Sequence, residues 1–450
     1  MSAIKWNLHI TQSVFPSDHT IVLRESSIKK WKIPGSITLH YGSTRQTVSV
    51  ASASRLDGIR MTEGLAAKLG LRSGASLRAV YRPKSRTLHI GPVIGVLLGS
   101  ASQNQNRPFG NTTSFCVEMV EAGKLYGGFV FFFTPKQIDW RDKRIRGWSY
   151  NNGWYQTSFP MPEVVYNRLM SRKLEANPSV QHFIREVKSR YGTTTFNERY
   201  LDKIEVFTAL RRDAEARVYL PHSRKYNGYA TLKHMLANHR TVFLKPERGS
   251  LGKGIIKITR KPSGGYICHF SHLNNVTQKS AATTKEVLHL IAGRAKSSRF
   301  QIQQGLTLIR IGGRPVDFRA LTHKGEKGKW GLTSIVGRIA GSNHFVSNLA
   351  RGGTLSPAKE ALSRAGLKAP TAVLQRLKKA ALLVAQGVEN QIPAQFGEFG
   401  VDLAVDTAGK VWLLEVNSKP AKNDSTPLSD QKIRPSVKRL IQYSRHLAGL

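Results

Sequence analysis

Two acidic residues and an amide near the C-terminal end of the chain have the spacing of a metal site. Two strand-like runs, residues 401–405 and 411–416, flank a glycine-containing turn and predict a β-hairpin. In such a hairpin Asp402 and Glu415 can face each other, with Asn417 farther along the same face. Carboxylate and amide oxygens suit a hard cation such as Mg²⁺ that bridges phosphates. The alternative is an exposed hairpin with polar ends, which the apolar run before Glu415 disfavours.

A glycine-rich loop lies between two strand-like runs in residues 241–259. Its small and basic residues are Gly249, Ser250, Gly252, Lys253 and Gly254. Glycines let the backbone approach a ligand closely, and successive N–H groups with a lysine suit phosphate oxygens. The loop is not a P-loop, because glycine follows Lys253 where a P-loop has Ser or Thr. The pattern predicts a lid over a phosphate ligand, with a flexible hairpin that binds nothing as the alternative.

The elements around these motifs indicate a chain of mixed structure. Its 450 residues allow about three domains. Residues 1–90 are β-rich and contain a predicted helix over 62–69. The predicted strands of this part cover residues 37–41, 47–50, 76–81 and 87–90. A helix over 115–122 and a buried strand over 128–133 predict a parallel α/β unit, and helical spacing predicts a packing helix over 371–392.

Together these motifs resemble the ATP-grasp superfamily of ADP-forming carboxylate–amine ligases. Lys245 in Phe-Leu-Lys-Pro looks like the lysine that contacts phosphate in that superfamily, and Lys203 in Leu-Asp-Lys-Ile looks like its other nucleotide lysine. The run Glu-Val-Asn-Ser at residues 415–418 is similar to its metal-binding strand end. The resemblance implies ATP as the nucleotide and Mg²⁺ as the ion, with Mn²⁺ as a substitute.

Further segments resemble the branch of the superfamily that ligates amino acids to peptides. They are Arg319 in Asp-Phe-Arg, Arg338 in Val-Gly-Arg, and residues 347–353. The resemblance implies that a carboxylate takes the γ-phosphoryl group and that an amine then attacks the acyl phosphate. Arg319 or Arg338 would stabilise the developing oxyanion, and Asn348 would contact metal-bound phosphate or substrate. A salt bridge or a surface charge is the alternative for each arginine.

The strand that enters the adenine hinge departs from the superfamily pattern. It usually carries an acid and a lysine, whereas residues 301–306 read Gln-Ile-Gln-Gln-Gly-Leu. The resemblance implies that Gln303 and Gln304 contact the adenine through amide and backbone groups and that Leu306 packs on the ring. Leu308 stands in the region where some members have an acidic ribose contact.

A narrower resemblance covers nearly the whole chain. Segments similar to the YheC/YheD family, endospore coat-associated ATP-grasp proteins of spore-forming Firmicutes, are residues 90–97, 162–168, 196–203, 219–221 and 245–255. The family usually has Asp at the position of Glu163. The implied fold class is α+β or α/β: an ATP-grasp fold of two α+β subdomains that clamp ATP. The implied domains are a β-rich domain at 1–90, a small α/β unit at 91–165, the first ATP-grasp part at 166–302 and the second at 303–450.

The chain is strongly basic, with 69 Lys and Arg residues against 28 Asp and Glu residues and a net charge of +41. This excess favours polyanionic partners, such as nucleic acid, an acidic polymer or a nucleotide, although a solvated basic surface explains it equally well.

Cys116 and Cys268 cannot form a disulfide framework. No apolar run reaches the roughly 18 residues of a membrane span, and the first residues lack the shape of a secretory signal. We expect a soluble protein of the mother-cell cytoplasm or the spore coat.

Three functions are therefore open at the level of sequence. The first is an active ATP-dependent carboxylate–amine ligase acting on a small molecule or an acidic peptide. The second is a nucleotide-binding structural protein of the spore coat, without turnover and with other coat proteins as partners. The third is a nucleic-acid binder that uses the positive charge, with ATP incidental.

Overall fold

A computed structural model describes residues 3–11, 19–247, 254–272, 275–297, 299–341, 353–422 and 433–450. Four β-sheets follow one another along the chain, and helices cover their faces. In the part of the chain that the structure describes, none of the helices combines the length and the apolar character that crossing a bilayer requires.

The first sheet is a closed barrel with the strand order β1-β5-β2-β4-β3-β7-β6. Its strands are β1 (Ile4–Thr11), β2 (Thr20–Arg24), β3 (Ser36–Tyr41), β4 (Thr44–Ala53), β5 (Ile59–Thr62), β6 (Ser76–Arg82) and β7 (Thr87–Gly91). Helices α1 (Glu25–Trp31) and α2 (Glu63–Leu69) interrupt them. The predicted helix over 62–69 is confirmed, because the Thr62 side chain caps α2 and Gly70 ends it in the left-handed conformation. Closure leaves this sheet without an exposed edge.

The second sheet has a parallel centre, in the order β9-β8-β13-β14. Its strands are β8 (Val93–Leu97), β9 (Phe129–Phe133), β10 (Ile138–Asp139), β11 (Arg144–Tyr150), β12 (Trp154–Pro160), β13 (Val164–Asn167) and β14 (Thr194–Phe196). Its helices are α3 (Thr113–Tyr126), α4 (Arg172–Glu175) and α5 (Pro178–Tyr191). The predicted parallel strand–helix–strand unit is confirmed, because α3 connects β8 to its parallel neighbour β9. Both strands are buried throughout, as parallel strands covered on two faces must be.

The third sheet is antiparallel, in the order β15-β20-β16-β17-β18-β19. Helix α6 (Lys203–Leu210) precedes it. Its strands and helices are β15 (Ser223–Lys225), α7 (Tyr229–Asn238), β16 (Thr241–Pro246), β17 (Ile256–Arg260), β18 (Tyr266–Ser271), β19 (Val276–Ala281), α8 (Thr284–Ser297) and β20 (Phe300–Gln304). The predicted hairpin on both sides of the glycine-rich loop is confirmed by the pairing of β16 with β17.

The fourth sheet is also antiparallel, in the order β24-β23-β22-β25-β26, with β21 beside β22. Its elements are β21 (Arg310–Ile311), β22 (Arg314–Lys324), β23 (Trp330–Ile339), β24 (Thr354–Pro357), α9 (Ala358–Arg364), α10 (Pro370–Gln391), β25 (Glu398–Val405) and β26 (Val411–Asn417). Helix α10 confirms the predicted packing helix, and its buried face shares one apolar core with β22, β25 and α6.

The last helix, α11 (Pro435–Ala448), returns to the second sheet, where Val437, Leu440 and Ile441 join the core beneath α3. Residues from the end of the chain thus complete a core that begins near residue 94. The division of the chain into four domains stays a prediction.

Candidate functional site

Three neighbouring strands of the fourth sheet place charged side chains in one row. Asp402 on β25 lies directly opposite Glu415 on β26 and, on its other side, directly opposite Arg319 on β22. Residues directly opposite on neighbouring strands share a face of the sheet. The prediction that Asp402 and Glu415 face each other is therefore confirmed. Asn417 follows on β26, opposite Gly400.

Two arginines hold the carboxylate of Asp402. Arg319 donates from Nη2 to Oδ2 at 3.0 Å and from Nε to Oδ1, so one guanidinium contacts both oxygens. Arg338 Nη2 lies 3.1 Å from Oδ1, and Asn417 Nδ2 lies 3.5 Å from Oδ2. Burial by itself raises the pKa of Asp402, but the two arginines outweigh it and hold this pKa below its ordinary value. The carboxylate is ionised at neutral pH, as a metal ligand must be.

Asp317 is a member of this network that the sequence analysis missed. Arg338 Nε donates to Asp317 Oδ1 at 2.6 Å, and the two residues lie directly opposite on β23 and β22. Asp317 is buried, so Arg338 is shared between two buried carboxylates. A signal was present in the sequence, because Asp317 and Arg319 are two apart on one strand and therefore share a face.

Lys203 reaches the same row from helix α6. Its Nζ lies 3.1 Å from Oε1 of Glu415, whose side chain is 30% exposed. Lys203 is the first residue of α6, which Asp202 caps by accepting from the backbone N–H of Glu205. Lys203, which is predicted to bind phosphate, thus pairs with Glu415, which is predicted to bind the metal ion.

Lys245 belongs to the third sheet, near the end of β16, and its Nζ donates to Oε1 of Gln303 on β20. Burial lowers the pKa of Lys245 to about 8, and the positive charge of Lys203 contributes to this shift. The carboxylates Glu415 and Asp402 act in the opposite direction. Because these charges influence one another, Lys245 shares the electrostatic environment of the row on the fourth sheet.

The two glutamines predicted at the adenine hinge have different surroundings. Gln303 is buried, and its Nε2 has no hydrogen-bond partner among the described residues, although its Oε1 accepts from Lys245. Gln304 uses its side chain to accept from the backbone N–H of His222 at 2.9 Å, which fixes β15 beside β20. Leu306 is half-buried, just after β20. Their contacts with adenine stay predictions.

Several predicted residues lie outside the described part of the chain. These are Gly249, Ser250, Gly252, Lys253 and Asn348. Gly254, at the end of the glycine-rich loop, is described and has a φ of 78°. Its N–H donates to the carbonyl of Ser271 at 3.1 Å, and a Cβ there would lie 3.2 Å from Pro246 Cγ. The left-handed conformation explains glycine at this position.

A buried charge network supports the strands that carry the site. Glu398, at the start of β25, is fully buried and pairs with Lys422 and with His323, whose Nε2 lies 3.2 Å away. Burial by itself raises the pKa of Glu398, but Lys422 and His323 reverse the shift and lower it. Asn197 donates to Glu398 at 3.2 Å and to the carbonyl of Ser418 at 2.8 Å, which fixes the chain just after β26. No sequence motif indicated these contacts, because the partners are far apart along the chain.

The site combines the ligands of a hard cation with donors for an anion. Asp402, Glu415 and Asn417 offer the oxygens that Mg²⁺ prefers, so the residues present fit this ion. Basic side chains surround them and suit phosphate oxygens. Lys203 lies beside Glu415 and suits a phosphate oxygen bound next to the ion.

We expect Asp402→Asn to lower the free energy of unfolding by about 3 kcal/mol, because it leaves buried arginines beside a neutral side chain. Glu415→Gln should cost at most about 1 kcal/mol, because the ion pair of Glu415 with Lys203 is partly exposed. Chemical denaturation of both variants at neutral pH measures these losses. Equal losses would contradict the buried network at Asp402.

Comparisons with known proteins match most of the chain. The family model described as YheC/D like ATP-grasp matches residues 192–447. Endospore coat-associated protein YheD of Bacillus subtilis (strain 168) is 32% identical over 338 residues, which are 75% of this chain and 74% of that protein. Endospore coat-associated protein YheC of the same organism is 21% identical over 325 residues, 71% of this chain and 88% of that protein.

Among solved structures, the VanG D-Ala:D-Ser ligase from Enterococcus faecalis is similar over 80% of this chain and 99% of that chain, with 10% identity and a TM-score of 0.47. The family model covers more than half of the chain, and the similarity to YheD extends over three quarters of it. The resemblance stated from the motifs is therefore confirmed, and the chain belongs to the YheC/D-like ATP-grasp family.

Proposed function

We propose that this protein is an ATP- and Mg²⁺-dependent, ADP-forming carboxylate–amine ligase of the peptide-forming type, associated with spore formation. The observation that carries the proposal is the convergence of Lys203, Lys245, Arg319, Asp402 and Glu415 from separate segments of the chain. The proposed cation ligands and phosphate donors would meet there. The names of YheD and YheC, which describe endospore coat-associated proteins, support the link to spore formation.

Asp402, Glu415 and Asn417 would hold the Mg²⁺, or Mn²⁺ in its place. When bound, the ion offsets the negative charge of the β- and γ-phosphates during phosphoryl transfer. Arg319 contacts both oxygens of Asp402 and so keeps this carboxylate in one orientation. Lys203, which contacts Glu415, would bind a phosphate oxygen beside this site.

The two lysines would hold the phosphates from two sides. Lys203 stands on α6 beside the fourth sheet, whereas Lys245 stands on β16 of the third sheet. Gln303 accepts from Lys245 and restricts the position of its ammonium group. The loop with Gly249, Ser250, Gly252, Lys253 and Gly254 would close over the phosphates and exclude water, which protects an acyl phosphate from hydrolysis.

The ligation would proceed in two steps, phosphoryl transfer and then acyl transfer. A substrate carboxylate oxygen attacks the γ-phosphorus and ADP leaves, which gives an acyl phosphate. An amine then attacks the acyl carbon, loses a proton and expels inorganic phosphate. Arg319 and Arg338, which both face Asp402, can donate to the developing oxyanion, and Asn348 would contact the substrate. The charge of +41 favours an anionic substrate, such as an acidic peptide.

The adenine would bind at the end of β20. A buried amide without a partner is costly, and Gln303 Nε2 would gain one from a bound base. The side chain and the backbone N–H of Gln304 already bind His222, so its carbonyl would make the contact, and Leu306 would pack on the ring.

A second candidate is a nucleotide-binding structural protein of the spore coat that does not turn over ATP. The observation that favours it is the run of glutamines on β20, where other members of the superfamily have an acid and a lysine. Nucleic-acid binding rests on the net charge alone, since neither the described residues nor the names of the relatives add support to it.

We expect Glu415→Gln to reduce ADP release from ATP and Mg²⁺ to below about a hundredth of the wild-type rate, because the amide lacks the negative charge with which the carboxylate binds a hard cation. The assay is run with pools of amino acids and acidic peptides. Glu360→Gln, on the exposed face of α9, is the matched control and should leave the rate unchanged. Undiminished ADP release by the Glu415 variant would remove the metal assignment, whereas ATP binding without any ADP release by wild type would favour the structural protein.

The pKa of Lys245, which burial lowers to about 8, predicts that ATP affinity depends on pH. At about pH 9 this lysine is mostly neutral in the free protein, and a bound phosphate would restore its proton. ATP binding should therefore take up a proton, and the affinity should fall as the pH rises from about 7 to about 9. Lys245→Arg should remove this dependence because arginine stays charged.

Calorimetric titrations in buffers of different ionisation enthalpy measure the uptake of this proton. Lys225→Arg, on an exposed part of β15, is the matched control and should behave as the wild type. Equal proton uptake by the wild type and by Lys245→Arg would contradict the phosphate role of Lys245.

A further inference from the structure

A cluster of two imidazoles and a carboxylate lies where the barrel meets the second sheet. His40 on β3 and His89 on β7 are directly opposite each other in parallel strands of the barrel. Their rings stack, with centroids 4.4 Å apart. Glu163 immediately precedes β13 of the second sheet, and its Oε1 bonds to Nε2 of His89. Residues from two sheets therefore form one polar cluster.

The three side chains are close enough to share a cation. One ligand atom from each of His40, His89 and Glu163 lies within 4.8 Å of the other two. Ligand atoms around a tetrahedral zinc ion are about 3.3 Å apart, given bonds of about 2.0–2.1 Å. Reaching that spacing requires rotation of the two stacked imidazoles toward the carboxylate. Among the described residues, this is the single group of three His, Cys, Asp or Glu side chains that meets the distance.

Other contacts already orient these groups. His40 Nε2 bonds to the carbonyl of Gly42 at 2.9 Å, and Glu163 Oε2 accepts from the backbone N–H of Val93 at 2.8 Å. A Cβ at Gly91 would lie 2.6 Å from Glu163 Oε2, so the carboxylate occupies the space beside this glycine. Outer partners of this kind, a backbone carbonyl for the imidazole and a donor for the carboxylate, commonly fix metal ligands in position.

The cluster is largely shielded from water, since the side chains of His89 and Glu163 are 2% and 11% exposed. In the present arrangement a proton joins His89 to Glu163, and a cation would replace it. Arg82 Nη2 lies 3.5 Å from His89 Nδ1. Arg82 is exposed and has room to turn away from a bound ion.

We propose that His40, His89 and Glu163 form a binding site for a zinc-type divalent cation, which ties the barrel to the second sheet. Two imidazole nitrogens and one carboxylate oxygen are a ligand set that binds Zn²⁺ with a fourth position left for water. Imidazole ligands favour Zn²⁺ over Mg²⁺, so this site is chemically distinct from the all-oxygen set at Asp402, Glu415 and Asn417. The proposal does not depend on the proposed ligase activity.

Zinc analysis of the full chain without a polyhistidine tag tests the site. The protein is stripped with a chelator, mixed with equimolar Zn²⁺ in excess Mg²⁺, desalted and analysed for metal. Wild type should retain about one equivalent, and Glu163→Gln and His89→Gln should each retain less than about a tenth of one. His9→Ala, an exposed barrel histidine, should retain zinc like the wild type, as should Glu415→Gln.

Thermal unfolding with and without Zn²⁺ gives a second readout, because an ion bound to the folded state raises the unfolding temperature. Zinc should stabilise the wild type and leave Glu163→Gln unchanged. If His89→Gln does not fold, His40→Gln, at a less deeply buried position, replaces it. No zinc on the wild type, full retention by Glu163→Gln, or loss in Glu415→Gln would each overturn the proposal and leave an ordinary hydrogen-bonded cluster.

Discussion

Asp402 lies between two arginines, and the candidate site depends on this buried ion-pair network. A buried carboxylate is tolerated only with partners that compensate its desolvation, and Arg319 and Arg338 supply them. The same contacts tie β25 to β22 and β23, so the charge network and the strand register depend on each other. Basic groups still outnumber acidic ones at the site. They are Lys203, Lys245, Arg319 and Arg338, against Asp317, Asp402 and Glu415.

The residues of the proposed site come from two sheets. The fourth sheet carries the cation ligands, whereas the third sheet carries Lys245 and the strand that would meet the adenine. A ligand that contacts both sheets would therefore hold them together, in the manner of enzymes that close over their substrates. The excess of positive charge at the site would favour the closed arrangement when phosphates are present.

The sequence predicted the parts of the site that local patterns determine. The turn between β25 and β26 predicts their pairing, and the sequence therefore places Asp402 and Glu415 on neighbouring strands. That Glu415 rather than Leu414 lies opposite Asp402 depends on a register shift between Asp402 and Leu403, for which the sequence has no signal. The contact of Arg338 with Asp402 likewise depends on how β23 pairs with β22, where the register shifts between Leu321 and Thr322. The side-chain contact of Gln304 depends likewise on a tertiary pairing with β15. The closed barrel could not be predicted, because strands such as β2 and β5 are short and show little alternation of apolar and polar residues.

Crystallography with bound metal and nucleotide would show whether the row on the fourth sheet binds both. Crystals grown with Mn²⁺ and a non-hydrolysable ATP analogue would show the ion by its anomalous scattering. Our account predicts Mn²⁺ among Asp402, Glu415 and Asn417, with the phosphates beside Lys203 and Lys245. A nucleotide or an ion bound elsewhere on the protein would contradict it.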